Sequence, residues 1–274
     1  MMRMDLTDFL RSRAVDGFIP WAAQRKAAAA FDLTEREVEE TALNLNLLPL
    51  RYRRNQQTIS TAQQLRLFSS RVAIIGCGGL GGYVLEILAR LGIGTLKAVD
   101  PDVFEEHNLN RQILCTFSSL GFPKVEAAAR RLEEINPVVR LLPVQKKLDR
   151  INGREILRDM DVVVDGLDSV PSRMILADLC RELSLPLVHG SIGGWYGQIT
   201  TQLAGDDTVR KIYGATDGQQ GVEQTLGNPS FSPAAIAALQ AAEVCKILLK
   251  EGTLLRNRIL FVNLLDMEMV KNEL

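Results

Sequence analysis

The sequence predicts an α/β fold: a mostly parallel sheet with helices on both faces, an antiparallel C-terminal extension and a small helical N-terminal appendage. Three observations lead there. From Arg71 onward, apolar runs of strand length alternate with amphipathic stretches of helix length, the pattern of strand–helix–strand crossovers. After Gly190 the rhythm changes to the period-two alternation of half-buried antiparallel strands. The first fifty residues show neither pattern and are rich in Ala, Glu and Leu. Two units follow: residues 1–50 as the appendage and 51–274 as a nucleotide-binding domain.

In the appendage, "PWAAQRKAAAAFDLTEREVEETALNLNLLPL" carries two helix signals. Thr34 with Glu37 makes a capping box, and Val38, Ala42 and Leu45 then share one helical face until Pro49 ends the run. Two short helices joined at "FDLT" resemble a DNA-reading helix-turn-helix. Glu35, Glu37, Glu39 and Glu40 on the second would repel phosphates, so a docking or dimerisation role is expected instead. The main domain offers strands at "RVAIIG", "TLKAVD", "VRLLPV", "DVVVDG" and "PLVHGS", with helices such as "KVEAAARRLEEIN" and "PSRMILADLCRELS" between them. Beyond these, "GQITTQLA" and "RILFVNLLDMEMVKNEL" flank a helix in "SPAAIAALQAAEVCKILLKE". The stretch "AGDDTVRKIYGATDGQQGVEQTLGNPS" is polar, glycine-rich and without periodicity, and loops of such length are usually functional.

Composition narrows the class. Lys and Arg number 32 against 33 Asp and Glu, a balance unlike that of a nucleic-acid binder reading phosphates through bulk charge. No segment is expected to reach the roughly 20 apolar residues of a membrane span, and "MMRMDLTDFLRSRAVDGF" lacks the apolar core of a signal peptide. The expected location is the cytoplasm, without membrane association. Four scattered cysteines, Cys77, Cys115, Cys180 and Cys245, read as free and mostly buried thiols, with no paired spacing for a zinc site.

The chemistry concentrates after the first strand. "GCGGLG" supplies Gly76, Gly78 and Gly81 as G-x-G-x-x-G between a strand and a helix. The first glycine permits a tight turn, the second a close phosphate and the third close helix packing, as in a Rossmann-like nucleotide site. Asp100, closing "LKAVD" about 20 residues on, is placed to hold ribose hydroxyls. No G-x-x-x-x-G-K-[ST] loop is present. Arg111 and Lys124 follow, two cations suited to a triphosphate and ill suited to a neutral nicotinamide. Only His107 and His189 could serve as the imidazole base that many dehydrogenases use. An adenylyl- or phosphoryl-transfer enzyme leads. An NAD(P)-dependent oxidoreductase and a non-catalytic nucleotide-binding protein stand as alternatives.

"GCGGLG", "VDPD", "NLNRQ", the "G-x-P-K" before "VEAAA" and "DGLDSVPSR", in that order, closely resemble the ThiF/MoeB/HesA family, prokaryotic relatives of ubiquitin-activating enzymes. The resemblance runs from Arg51 to about Leu265 and leaves out the appendage. It implies binding of ATP and Mg²⁺ and adenylation of the C-terminal glycine carboxylate of a small ubiquitin-like or sulfur-carrier protein ending in Gly-Gly, with release of pyrophosphate, by a homodimer. By the resemblance, Gly76, Gly78, Gly79 and Gly81 cradle phosphates and Asp100 holds the ribose diol, with Asp102 beside it. Arg111 and Lys124 bind the phosphates, with Asn108 and Gln112 nearby, and Asp168 sits by the metal and α-phosphate. Asp168 also reads as a helix N-cap ahead of Pro171. Arg54 matches an arginine that reaches into the partner subunit's site, though "RYRR" equally reads as a solvated basic linker. The chain departs from many members in lacking two C-x-x-C zinc pairs and in having no cysteine in "GVEQTLGNPSFSP". The reaction is therefore expected to stop at the acyl-adenylate, without an enzyme thioester.

Overall fold

A computed structural model describes residues 5–55, 57–214 and 226–274. The core is an eight-stranded sheet in the order β10-β9-β8-β7-β6-β3-β4-β5. β3 (Arg71–Ile75), β4 (Thr95–Val99), β5 (Arg140–Val144), β6 (Val162–Asp165) and β7 (Leu187–Gly193) run parallel. β8 (Tyr196–Gln202), β9 (Arg258–Asn263) and β10 (Glu268–Glu273) extend it antiparallel. The five parallel strands and the two antiparallel segments expected from sequence are all present, the last segment folding into the β9–β10 hairpin.

Period-two alternation splits the sheet's apolar residues between two faces. Val72 and Ile74 of β3 face α5 (Gly79–Leu91), α6 (Lys124–Ile135) and α10 (Phe231–Leu249), while Ala73 and Ile75 face α8 (Val170–Glu182). The parallel strands are buried on both sides, which is why they read as continuous apolar runs. α10 corrects one expectation. Its 19 residues are long and apolar enough to cross a membrane, yet it packs against α5 and β7 as a core helix, with more than half its length buried. Within the polar stretch after β8, α9 (Thr208–Tyr213) forms where no periodicity signalled it. Residues 215–225 of that stretch lie outside the described residues, and part of "GVEQTLGNPSFSP" with them.

The appendage contains α1 (Leu6–Arg13), α2 (Trp21–Phe31) and α3 (Glu35–Asn44), with β1 (Phe18–Ile19) pairing parallel to β2 (Leu48–Pro49). Thr34 and Glu37 close the expected capping box, and Val38 and Ala42 are buried in a small core of its own. α1 and the two short strands carry no strong signal; Pro49 lies in β2. Glu39, one of the four acids expected at the surface, is buried and ion-paired to Arg51. Tyr52, fully buried, accepts from Asn136 Nδ2 at 2.8 Å. Arg36 donates to the carbonyls of Gly94 (2.6 Å) and Val138 (2.9 Å) and lies over the Phe68 ring. Gly94 and Val138 precede β4 and β5, so the appendage is fastened to the amino ends of the parallel strands.

Candidate active site

The opposite, carboxyl end of the sheet holds a cleft of about 440 Å³. From β3 the chain winds to β4 and β5 on one side, and from β6 to β7 on the other. The reversal falls between β3 and β6, where ligands of open α/β sheets bind. The loops after those two strands touch. Gly76 takes φ +92°, and a Cβ there would meet the Gly166 carbonyl at 2.6 Å. A Cβ on Gly81 would run into the Gly76 carbonyl, whereas one on Gly78 meets only the Gln112 amide at 3.6 Å. The three glycines thus form a tight turn, an uncrowded face toward the cleft and a close helix contact. No side chain caps α5, so its first N–H groups face the cleft beside Gly78 and Gly79.

Asp100 stands at the end of β4, its Oδ2 accepting from Cys77 N–H at 2.7 Å and its Oδ1 from Asp102 N–H at 2.8 Å. Burial pushes its carboxyl above the usual range, opposed by the Lys124 charge and these two donors. Lys124 begins α6 with its Nζ 3.0 Å from Asp102 Oδ2; the ammonium is almost wholly buried but opens on the cleft. Arg111 lines the cleft with Nη1 donating to the His107 carbonyl and Asn110 Oδ1. Gln112 is buried beneath Gly78, and its Oε1 has no partner among the described residues. Asp168 also lines the cleft, its side chain exposed.

The structure therefore gathers Gly76, Gly78, Gly79, Asp100, Asp102, Arg111, Gln112, Lys124 and Asp168 into one cleft. Gly81 supports it from behind. Asn108 stays out. It is buried, and its Oδ1 accepts from Glu105 N–H at 3.0 Å, a structural cap on a 3₁₀ turn. Asp168 is not the N-cap of α8; Ser169 is, accepting from Ser172 N–H, which leaves the Asp168 carboxylate to the cleft. Arg54 lies exposed in the 3₁₀ turn Leu50–Asn55, outside its own chain's cleft.

Sequence reasoning missed Lys146, Lys147 and Arg173, which also line the cleft. The two lysines follow β5, and the rule that ligands sit beyond carboxyl strand ends points to them once β5 is placed beside β4. Arg173, the last residue of "DGLDSVPSR", acts as a fork donor, its Nε and Nη2 directed to the Leu167 carbonyl at 3.2 and 2.7 Å. In all, five cationic side chains meet three carboxylates in the cleft of a chain with net charge −1. No cysteine lines it. Burial raises the Cys77 thiol well above its usual range and raises Cys115 and Cys180; Cys245 is pushed up to about 11.

A glycine-loop nucleotide cleft at the switch point of such a sheet, lined with cations, defines a nucleotide-binding α/β protein. The chain belongs to the ThiF family, whose model matches residues 52–273. It is 39% identical over 206 residues to a Haloferax volcanii protein named SAMP-activating enzyme E1, covering 74% of this chain and 76% of the relative. It is 35% identical over 211 residues to the sulfur carrier protein adenylyltransferase of Thermus thermophilus, covering 74% and 78%. Against a probable molybdopterin-synthase adenylyltransferase of Porphyra purpurea it is 34% identical, spanning 56% of that longer protein. Among solved structures, Escherichia coli MccB with succinimide superposes with a TM-score of 0.69 at 20% identity, covering 91% of this chain and 82% of MccB. E. coli TcdA, a tRNA N6-threonylcarbamoyladenosine dehydratase, superposes with a TM-score of 0.63 at 23% identity, covering 73% and 94%. The family and fold expected from the motifs are confirmed, and the relatives are named for the activity that those motifs imply.

Proposed function

We propose that this chain uses ATP to adenylate the C-terminal glycine carboxylate of a small ubiquitin-like or sulfur-carrier protein ending in Gly-Gly, releasing pyrophosphate without forming an enzyme thioester. The convergence of Arg111, Lys124 and Asp168 on the Gly76–Gly79 loop carries this reading. A carboxylate oxygen bonds to the α-phosphorus while the bond from that phosphorus to the bridging oxygen breaks, and pyrophosphate leaves with the electron pair. The nucleophile is already ionised and needs no base. The barrier lies in bringing an anion to a polyanion, which preorganised cations lower.

In this reading the Gly76–Gly79 backbone and the open end of α5 receive phosphate oxygens. Asp100 holds the ribose diol; each of its oxygens accepts one backbone N–H and keeps a second lone pair. Lys124, now paired to Asp102, and Arg111 turn to the phosphates. Magnesium is commonly held by one or two carboxylates together with substrate phosphates. Among the described residues, no group of three or more His, Cys, Asp or Glu is close enough to hold a metal ion by itself. Asp168 offers one open carboxylate, a donor set that fits an ion arriving with the nucleotide. When bound, Mg²⁺ supplies further neutralisation of phosphoryl charge.

The thiols support stopping at the acyl-adenylate, since burial raises their pKa and only a thiolate attacks. Free thiols also suit the reducing cytoplasm. Arg54, exposed and outside its own cleft, suits a role in the site of a second copy. The test is exchange of radiolabelled pyrophosphate into ATP with small ubiquitin-like proteins ending in Gly-Gly. Carrier-dependent exchange is expected. Hydride transfer with NAD would favour the oxidoreductase, and neither activity would favour a non-catalytic protein. A reducible thioester trapped between the chain and its carrier would overturn the absence of an acceptor cysteine.

A further inference from the structure

Beneath the cleft lies a buried polar chain that the adenylation chemistry does not itself use. Asp165, the last residue of β6, and His189, its neighbour on β7, are both fully buried, with Oδ2 and Nδ1 2.7 Å apart. His189 Nε2 lies 3.1 Å from the Tyr213 hydroxyl at the end of α9, the two rings meeting edge to face. A proton on Nδ1 satisfies the Asp165 carboxylate and leaves Nε2 an acceptor, so the phenol donates to the ring. Gln198 Nε2 at 3.0 Å and Arg173 Nη1 at 3.2 Å donate to the same phenol oxygen. Ser191 Oγ lies 3.3 Å away.

This chain ends on the peptide next to Asp168. The other oxygen of Asp165 accepts from Leu167 N–H at 2.9 Å. The Leu167 carbonyl takes the Nε and Nη2 fork of Arg173, whose Nη1 is on Tyr213. Leu167 is thus gripped at both polar backbone atoms by members of one network. The following residue presents its carboxylate to the cleft. Burying an acid, a guanidinium and an imidazole together costs desolvation free energy that apolar packing would avoid. That cost falls at the one turn whose geometry sets where Asp168 points.

We infer that His189 and Tyr213 are positioning residues for Asp168, acting through Asp165, Arg173 and the Leu167 peptide. The inference rests on the reading that Asp168 serves the metal-bound nucleotide.

The test measures ATP affinity by titration calorimetry with Mg²⁺ and with EDTA, on the full chain, alongside thermal melting. Asp168→Asn should remove most of the Mg²⁺-dependent gain in affinity. Tyr213→Phe and His189→Asn, the latter keeping a donor to Asp165, should reduce that gain about three- to tenfold, the scale of coupling between residues in one network. Metal-free affinity should stay within about twofold, and the Asp168→Asn/Tyr213→Phe double variant should bind no more weakly than Asp168→Asn, because coupled effects do not add. A full gain in both Tyr213→Phe and His189→Asn, with Asp168→Asn defective, would overturn the inference alone. Additive losses in the double variant would do the same, reducing the network to a structural role. A full gain in Asp168→Asn would remove the role of Asp168 and the inference with it.

Discussion

The two ends of the parallel sheet use the same residue types and put them to opposite ends. At the amino end, every polar group named has a partner inside the chain: Arg36 on two carbonyls, Arg51 on Glu39, Tyr52 on Asn136. At the carboxyl end, Lys124 is paired to Asp102 and Arg173 to the Leu167 carbonyl, whereas Lys146 and Lys147 stand exposed on the cleft. Polar groups that complete one another hold two units together. Polar groups left in excess beside open backbone N–H donors await a ligand. The comparison predicts that changes at the amino end alter stability and spare chemistry, while changes in the cleft do the reverse.

The largest effect should come from the cleft. Lys124→Ala or Arg111→Ala is expected to lower carrier-dependent ATP–pyrophosphate exchange by about a hundredfold or more, the scale for losing one preorganised donor. Melting should move little for Arg111, which is half-exposed. Near-normal exchange in both variants would break the assignment of this end to catalysis. At the other end, Glu39→Ala leaves the buried Tyr52 hydroxyl without its acceptor and should cost about 1–3 kcal/mol of stability. Its exchange rate per folded molecule should be unchanged. Chemical denaturation beside exchange assays separates the two outcomes, and a catalytic loss in folded Glu39→Ala would blur the division between the ends.

Much of the carboxyl end was legible because its signals are local. Gly76, Gly78 and Gly81 mark a turn whose backbone demands can be read from spacing, and Asp100 follows at the interval that the next strand sets. Asn108 shows the limit: it belongs to the same motif as Arg111, yet its amide turns inward to cap Glu105 N–H, a choice made by the 3₁₀ turn around it. Asp168 lines the cleft, but the N-cap role belongs to Ser169, one residue on. Lys146 and Lys147 are joined to the site only by strand order, which no short pattern encodes, whereas Arg173 closes the "DGLDSVPSR" motif without having been given a role there. At the amino end, the helix of Thr34, Glu37, Val38 and Ala42 was legible and its docking was not. Glu39 was one of four acids expected to repel phosphates, and only the docking of its helix on Tyr52 and Arg51 buries it.

Arg54 sharpens the comparison, since it sits in the turn that leads out of the appendage and lies outside its own chain's cleft. If it completes the site of a second copy, Arg54→Ala and Lys124→Ala chains should each be nearly inactive, but their mixture should recover activity. Random pairing gives half mixed dimers, each with one intact site, so recovery should reach about a quarter of the unmodified level. Subunit exchange followed by pyrophosphate exchange measures this. A mixture as inactive as its components would confine Arg54 to the solvated linker that "RYRR" also suggests.

The smallest effect concerns pH, where the two ends should respond with opposite sign. Burial holds the fully enclosed His189 imidazole below its usual 6.5, against the pull of Asp165; Arg173 adds to the lowering, and Tyr213 and Gln198 close the remaining side. The unfolded chain therefore takes up a proton near pH 6.5 that the folded chain refuses. Stability contributed by His189 is present above that pH and is lost as the pH falls below it, by at most about 1.4 kcal/mol per unit. Glu39 runs the other way. Burial raises its carboxyl above 4.5, outweighing Arg51, so the folded chain holds that proton more tightly and stability falls as the pH rises through the range. Denaturation followed from pH 4.5 to 7.5 should show His189→Asn losing less stability on acidification than the unmodified chain, and Glu39→Gln losing more. Identical pH slopes in all three would show that neither buried group titrates differently in the folded state, and the electrostatic contrast between the two ends would then reduce to their charge counts.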